Sequence, residues 1–253
     1  MSFYLPLGDG QFRPTRSTES PWDTEMQHGG PPAALLGRVL TVDGLRLARI
    51  SVDFLGPIPR RDFQIEVSTI KPGRLTTLNE ARMIVDGRVA VTARAWHLAP
   101  GPQPPVTTPA DHADPLPEAH GDGGFPGYDG WGYGEAIEWR TTKGELGVAD
   151  GETHVWTRVR MPLIDGEELT GIDRALIVAD SANGISAVLP MGQWLSIPPT
   201  MTTTLLRPAL GDWVHLACRT ALSDDGLGLT TGELADPEGT LGQVSQPLVV
   251  RAR

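Results

Sequence analysis

The chain has 253 residues, enough for one large domain or two moderate ones with a sizeable core, and its 40% hydrophobic and 21% charged residues are those of a globular protein. A single cysteine, Cys218, excludes an intrachain disulfide framework and any cysteine-built zinc or iron–sulfur cage, and sets the expectation of a reducing, cytoplasmic location. The net charge of −10 opposes unspecific binding to nucleic acid. With no basic-then-apolar leader in Met1–Gly10 and no run of roughly 20 apolar residues, neither export nor a membrane span is expected.

In chain order, Pro31-Pro32 followed by Ala33, Leu36 and Leu40 predicts a helix, because proline is tolerated in the first turn and the apolar residues recur at helical spacing. Strands follow. Ile50, Val52 and Phe54 alternate with polar neighbours, as do Ile65 and Val67, and two further strands, Leu78–Val85 and Val89–Leu98, flank an Asp86-Gly87 turn. From Pro100 to Gly134 the chain is rich in proline, glycine and acid. It reads as a linker without regular structure, with a lid or interface role left open. Beyond it, a strand is predicted at His154–Met161, and a helix at Gly171–Leu189 opened by the capping pattern Thr170 to Asp173. Four strands then fall near Met201–Leu206, Trp213–Ala221, Leu227–Leu234 and Gly242–Val250.

The order of elements before the linker thus returns after it. Leu55 and Leu206 lie 151 residues apart, and Gly87 and Gly239 lie 152 apart, which points to an internal duplication. A helix followed by antiparallel strands buries its apolar stripe by lying across the sheet, so an α+β arrangement of two packed copies is expected, at 1–99 and 135–253 around a 100–134 linker.

Asp180 stands among apolar helix neighbours, in Ala175-Leu-Ile-Val-Ala-Asp-Ser-Ala-Asn-Gly. Desolvation raises the pKa of such a carboxylate and suits it to general-base work; equally, Asp180, Asn183 and Gly184 could mark a solvated helix break. His28-Gly29-Gly30 precedes the first helix, where free N–H groups and the helix dipole favour an anion, although the same triplet could be only a tight turn. Gln246 in the last strand can donate and accept hydrogen bonds but cannot act as a base. Thr200, Thr202, Thr203 and Thr204 read as strand residues, one of whose hydroxyls could hold a water. His112 and His120 read as solvated linker residues, and His154 and His215 as residues on polar strand faces. Nucleophile elbow, phosphate loop, zinc-protease and dinucleotide-binding motifs are all absent from the sequence, and His97-Leu-Ala-Pro-Gly101 only approaches the histidine motif of polyketide dehydratases.

Taken together, Trp22, the run Gln27-His-Gly-Gly-Pro-Pro-Ala-Ala-Leu-Leu-Gly37, Asp180 and the terminal Ser245-Gln-Pro-Leu-Val-Val-Arg251 resemble the acyl-CoA thioesterase II (TesB-like) family of double hotdog proteins. The resemblance implies two antiparallel sheets, each wrapped around a long helix, and hydrolysis of an acyl-CoA to fatty acid and CoA without metal or redox cofactor. It implies that a water is held by Asp180, by Gln246 and by a hydroxyl from Thr200 or Thr202. His28, Gly29, Gly30, Asn183 and Gly184 would line the substrate site. The family pattern has an aspartate where this chain has Thr200, and Pro198-Pro199 come just before it. A non-hydrolytic acyl-CoA or acyl-carrier binding protein and a hotdog dehydratase or hydratase are the alternatives. Exposed sheet edges leave open association into a homo-oligomer.

Overall fold

The computed structural model describes residues 1–108, 113–119 and 124–253; His112 and His120 lie outside them. The first half comprises β1 (Tyr4–Gly8), β2 (Gln11–Pro14), α1 (Gly30–Val39), β3 (Arg46–Phe54), β4 (Phe63–Lys71), β5 (Thr76–Val85) and β6 (Arg88–Leu98). After the short helix α2 (Gly132–Glu135) come β7 (Ile137–Lys143), β8 (Glu152–Val159), α3 (Gly171–Ala179) and the single turn α4 (Ala182–Ile185). The chain ends with β9 (Trp194–Ile197), β10 (Thr200–Leu205), β11 (Trp213–Leu222), β12 (Leu227–Asp236) and β13 (Gly239–Ala252).

The strands form one 13-stranded sheet rather than two, in the order β1-β2-β4-β5-β6-β3-β10-β13-β12-β11-β8-β7, with β9 paired to β13. This order reads as the same unit twice about the β3–β10 seam, the arrangement a duplication would give. Every strand pairing is antiparallel, and Ser51 faces Thr202 across the seam. These two residues are 151 apart, the offset expected of the repeat, so they are equivalent positions meeting on the local two-fold axis. Their hydroxyls lie 3.0 Å apart.

The two central helices are shorter than expected, at 10 and 9 residues. They bury their apolar sides against one face of the sheet and against each other, in a single core that includes Leu36, Ile50, Leu176, Met201 and Leu216. The helix expected to reach Leu189 stops at Ala179; Asp180 and Ser181, still near helical dihedrals, form a short turn before α4 takes up the chain. The helix offset is therefore 141 while the strand offset remains 151. Within the second half, the additional length between helix and strand is taken up by α4 and β9. Asp180 and Gly30 are therefore not equivalent through the repeat: Asp180 ends its helix, whereas Gly30 begins one.

Four terminal or edge strands, β1, β2, β7 and β9, escape the hydrophobic reading. β1 and β2 are short and mostly exposed, joined through Asp9 and Gly10 at positive φ, and β9 carries a proline pair at its end. The reading of 100–134 as a linker without regular structure also needs correction, since Gly132–Glu135 is helical and Phe125 and Tyr133 are buried.

The helices run in opposite senses and are tied across the halves by Arg38, which donates through Nε to Asp173 at 3.2 Å and through Nη2 to the same carboxylate. Asp173 is 1% exposed and also completes the capping box with Thr170. Removing the cation strands a buried charge, so Arg38→Met should cost about 3 kcal/mol in urea unfolding at unchanged m-value. Arg13→Met, which breaks an exposed pair with Asp62, should cost far less; equal losses would refute the buried-pair assignment.

Candidate active site

Antiparallel packing brings the C-terminal end of α3 to the N-terminal end of α1. Asp180, the residue that caps α3, points its carboxylate at His28 and Gly29, with Oδ2 3.3 Å from His28 Nδ1. The backbone N–H groups of Gly29 and Gly30 hydrogen-bond the same carboxylate. Glycine is required at both positions for space. A Cβ on Gly29 would lie 2.7 Å from Asp180 Oδ2 and from the Phe54 ring, and one on Gly30 would lie 2.0 Å from the Ile177 carbonyl oxygen.

Gln246 completes this contact from β13. Its Nε2 donates to Asp180 Oδ1 at 3.0 Å, and its Oε1 accepts from the Asn183 backbone N–H at 3.1 Å, which fixes the amide orientation. Asn183 is itself anchored, donating from Nδ2 to the Ser196 carbonyl at 2.9 Å. The location of Gln246 follows from an interruption in the sheet. On one side β13 pairs with β10 up to Ser245 and with β9 from Val249 onward, and Pro198-Pro199 separates those two strands. Prolines cannot supply ladder hydrogen bonds. The interruption leaves Gln246 facing inward between the paired segments.

Asp180 is almost completely buried, and desolvation pushes its carboxyl up to about 7 despite the opposing hydrogen bonds from Gly29, Gln246 and Gly30. Burial also depresses His28 to about 3. The His28–Asp180 contact is therefore a close polar approach and not an ion pair, and His28 Nδ1 accepts from the Gly30 N–H at 3.2 Å. The His28 ring is clamped by Tyr133, stacked at 4.0 Å between centroids and 13° between planes. The Tyr133 hydroxyl donates to the Ile177 carbonyl at 2.7 Å and lies 2.8 Å from Ser181 Oγ.

These groups open into a cavity of about 540 Å³, the size of small-molecule sites, bounded by Trp22, Met26, Phe54, Tyr128, Trp131 and Leu195. His28, Gly29, Asp180, Asn183 and Gly184 all line it, and Arg253 stands beside it with its guanidinium 5.0 Å from the Trp22 ring centroid. The aromatic wall of Phe125, Tyr128 and Trp131 comes from the stretch read as linker. Its signal in the sequence was the density of aromatic residues in Phe125–Tyr133, which proline and glycine content outweighed.

The structure does not bring Thr200 or Thr202 to Asp180. Side chains alternate along β10, so Met201 and Thr203 face the helices while Thr200 and Thr202 face away. Thr200 donates to the Val52 carbonyl at 2.8 Å, and Thr202 sits on the seam with Ser51. His97, the residue of the dehydratase-like motif, is buried in β6 and is not among the residues around the cavity.

A central helix lying across a curved antiparallel sheet, in tandem, is the hotdog architecture, and solved structures agree. A hot dog fold protein of unknown function from Alicyclobacillus acidocaldarius matches with a TM-score of 0.75 at 19% identity, over 98% of this chain and 95% of the other. The acyl-CoA thioesterase II TesB2 of Mycobacterium marinum matches with a TM-score of 0.70 at 16% identity, over 99% and 95%. The tesB protein of Mycobacterium avium subsp. paratuberculosis matches with a TM-score of 0.66 at 20% identity, over 98% and 96%. A search of curated proteins gave no match. The model of the acyl-CoA thioesterase N-terminal domain matches residues 18–98, and that of the C-terminal domain matches residues 109–250. The chain belongs to the acyl-CoA thioesterase family.

The elevated Asp180 pKa has a thermodynamic consequence. Between about pH 4 and 7 the folded protein holds a proton that the unfolded chain has released, so this group's contribution to stability is full below pH 4 and is lost as pH rises through 7. Asp180→Asn does not titrate. Its stability relative to the parent should therefore rise by a few kcal/mol from pH 4 to pH 8, measured by denaturant unfolding across that range; a pH-independent difference would contradict the burial of a titrating carboxylate.

Proposed function

We propose that the protein hydrolyses an acyl-CoA to a free carboxylic acid and CoA, with Asp180 as general base. The observation that carries this reading is a desolvated carboxylate whose pKa lies near neutrality, held by Gln246 and the start of α1 at the wall of a largely apolar cavity. In this reading the acyl chain occupies the aromatic cavity and the thioester carbon lies close to Asp180. Ionised Asp180 removes a proton from a water that the Gln246 amide orients. The oxygen of that water bonds to the thioester carbon, and negative charge develops on the carbonyl oxygen near the positive end of the α1 dipole, whose first N–H groups are already held by Asp180 and His28. Collapse of the intermediate breaks the C–S bond, and the proton held by Asp180 passes to the departing thiolate. None of these steps needs a metal or redox cofactor. Arg253 supplies a cation beside the cavity for a phosphate of CoA.

A binding-only role is the second reading, favoured by one feature: Thr200 and Thr202 face away from Asp180, leaving two side chains rather than three to hold the water.

Free-thiol release across acyl-CoAs from acetyl to palmitoyl decides between the two. Hydrolysis is expected, with kcat/KM rising through a single ionisation near pH 7 as Asp180 loses its proton. Asp180→Asn should lower kcat by at least ~100-fold while the protein remains folded, and Gln246→Ala should lower it less. Saturable binding of a nonhydrolysable acyl-CoA with no thiol release from the parent protein would establish the binding role instead.

A further inference from the structure

On the face of the second-half sheet that points away from the helices, alternation places His154 and Trp156 of β8 beside His215 and Ala217 of β11. His215 pairs directly with Trp156 and His154 with Ala217, so the two histidines are diagonal neighbours. The methyl side chain of Ala217 leaves a pit between them. Asp114, from the 113–119 segment, enters this pit. Its Oδ2 lies 2.9 Å from His154 Nδ1 and 3.7 Å from His215 Nε2. All three ligand atoms lie within 4.8 Å of one another.

We propose that Asp114, His154 and His215 form a binding site for a zinc-type divalent cation, separate from the Asp180 cavity. Ligand atoms on a tetrahedral zinc at about 2.0–2.1 Å stand about 3.3 Å apart, so the observed separations need only small adjustments to close on one ion. Two imidazoles and a carboxylate are a borderline donor set suited to zinc and its neighbours rather than to magnesium or calcium.

Three further observations fit a ligand set better than a simple polar contact. His215 is 3% exposed, and its Nε2 has no hydrogen-bond partner among the described residues although it is aimed at the pit. His154 Nε2 faces Glu152 Oε1 at 3.4 Å, and Glu152 is held by Lys143 at 2.7 Å. An ion bound at Nδ1 would displace its hydrogen bond to Asp114 and leave the proton on Nε2, facing this carboxylate, the outer-shell pattern of metal-bound histidines. Asp114 is oriented in turn: Thr142 Oγ1 donates to Oδ2 at 2.8 Å, and Trp156 Nε1 donates to the Asp114 carbonyl at 2.8 Å. The Asp114 side chain is 42% exposed, which gives a cation a route in and leaves a coordination position for water.

Such an ion would fasten the 113–119 segment to the sheet. The same stretch of chain leads on to Phe125–Tyr133, which walls the cavity and clamps His28. The site is thus placed to order the approach to the cavity without entering its chemistry.

The test is titration of chelator-treated protein with Zn²⁺ by calorimetry, followed by Co²⁺ substitution and visible absorption spectroscopy. One ion per chain is expected, with a Co²⁺ spectrum showing nitrogen and oxygen ligation and a metal-dependent rise in Tm. Asp114→Ala alters a half-exposed side chain outside the sheet and should remain folded by circular dichroism while weakening Zn²⁺ binding by at least ~100-fold. His154→Gln should do the same, Glu152→Gln should weaken binding about tenfold, and Asp180→Asn should bind Zn²⁺ like the parent. Absence of saturable binding by 100-micromolar-range Zn²⁺ would overturn the proposal, as would unchanged affinity in Asp114→Ala and His154→Gln. Asp114 would then be a hydrogen-bonding anchor alone.

Discussion

The structure turns on keeping one carboxylate out of water. Asp180 sits where two helix ends of opposite sense meet, and burying it there is costly unless several groups approach it at once. The requirement explains much of what surrounds it. Two glycines allow the α1 backbone to come within hydrogen-bonding distance, Gln246 is fixed by a second hydrogen bond to Asn183, and Tyr133 stacks over His28 beside the carboxylate. The residual imbalance, in which desolvation outweighs these hydrogen bonds, is what lifts the pKa towards neutrality and makes the group chemically useful.

A duplicated chain has by default two equivalent ends where such a site could form, and this one uses a single end. The difference lies in the extra length between helix and strand in the second half. There, α4 supplies the N–H that orients Gln246, and Pro198-Pro199 parts β9 from β10 so that the stretch of β13 around Gln246 is left without a neighbour on that side. The first half passes from α1 to β3 through a short loop and contributes the helix N-terminus instead. The site is therefore shared between the repeats, with one supplying the carboxylate and amide and the other supplying the glycine turn.

The stretch between the repeats has an equally structural role. Its described residues rest at two places: Asp114 against the outer sheet face, and Phe125–Tyr133 against the cavity. Only the second contact uses regular secondary structure, through Tyr133 in the short helix α2. Both are made by side chains, namely a carboxylate over two histidines and a set of edge-to-face rings around Phe125.

Local pattern determined the repeated order of elements, the Asp86-Gly87 turn, the Thr170–Asp173 cap and the placing of Asp180 on a buried helix, because helical and strand periodicities and turn chemistry act over a few residues. The terminal motif around Gln246 was also legible from its resemblance to a known family. Tertiary structure decided that Asp180 faces His28-Gly-Gly, since that depends on the opposed directions of two helices whose starts lie 141 residues apart in the chain. It decided that Thr200 and Thr202 lie outside the site, because a strand's register fixes which alternate residues face the core, and a run of threonines carries no hydrophobic alternation from which to read it. It also drew Tyr133 into the site and Asp114 to His154 and His215, contacts between a segment without periodicity and distant strands, for which no local rule in the sequence exists.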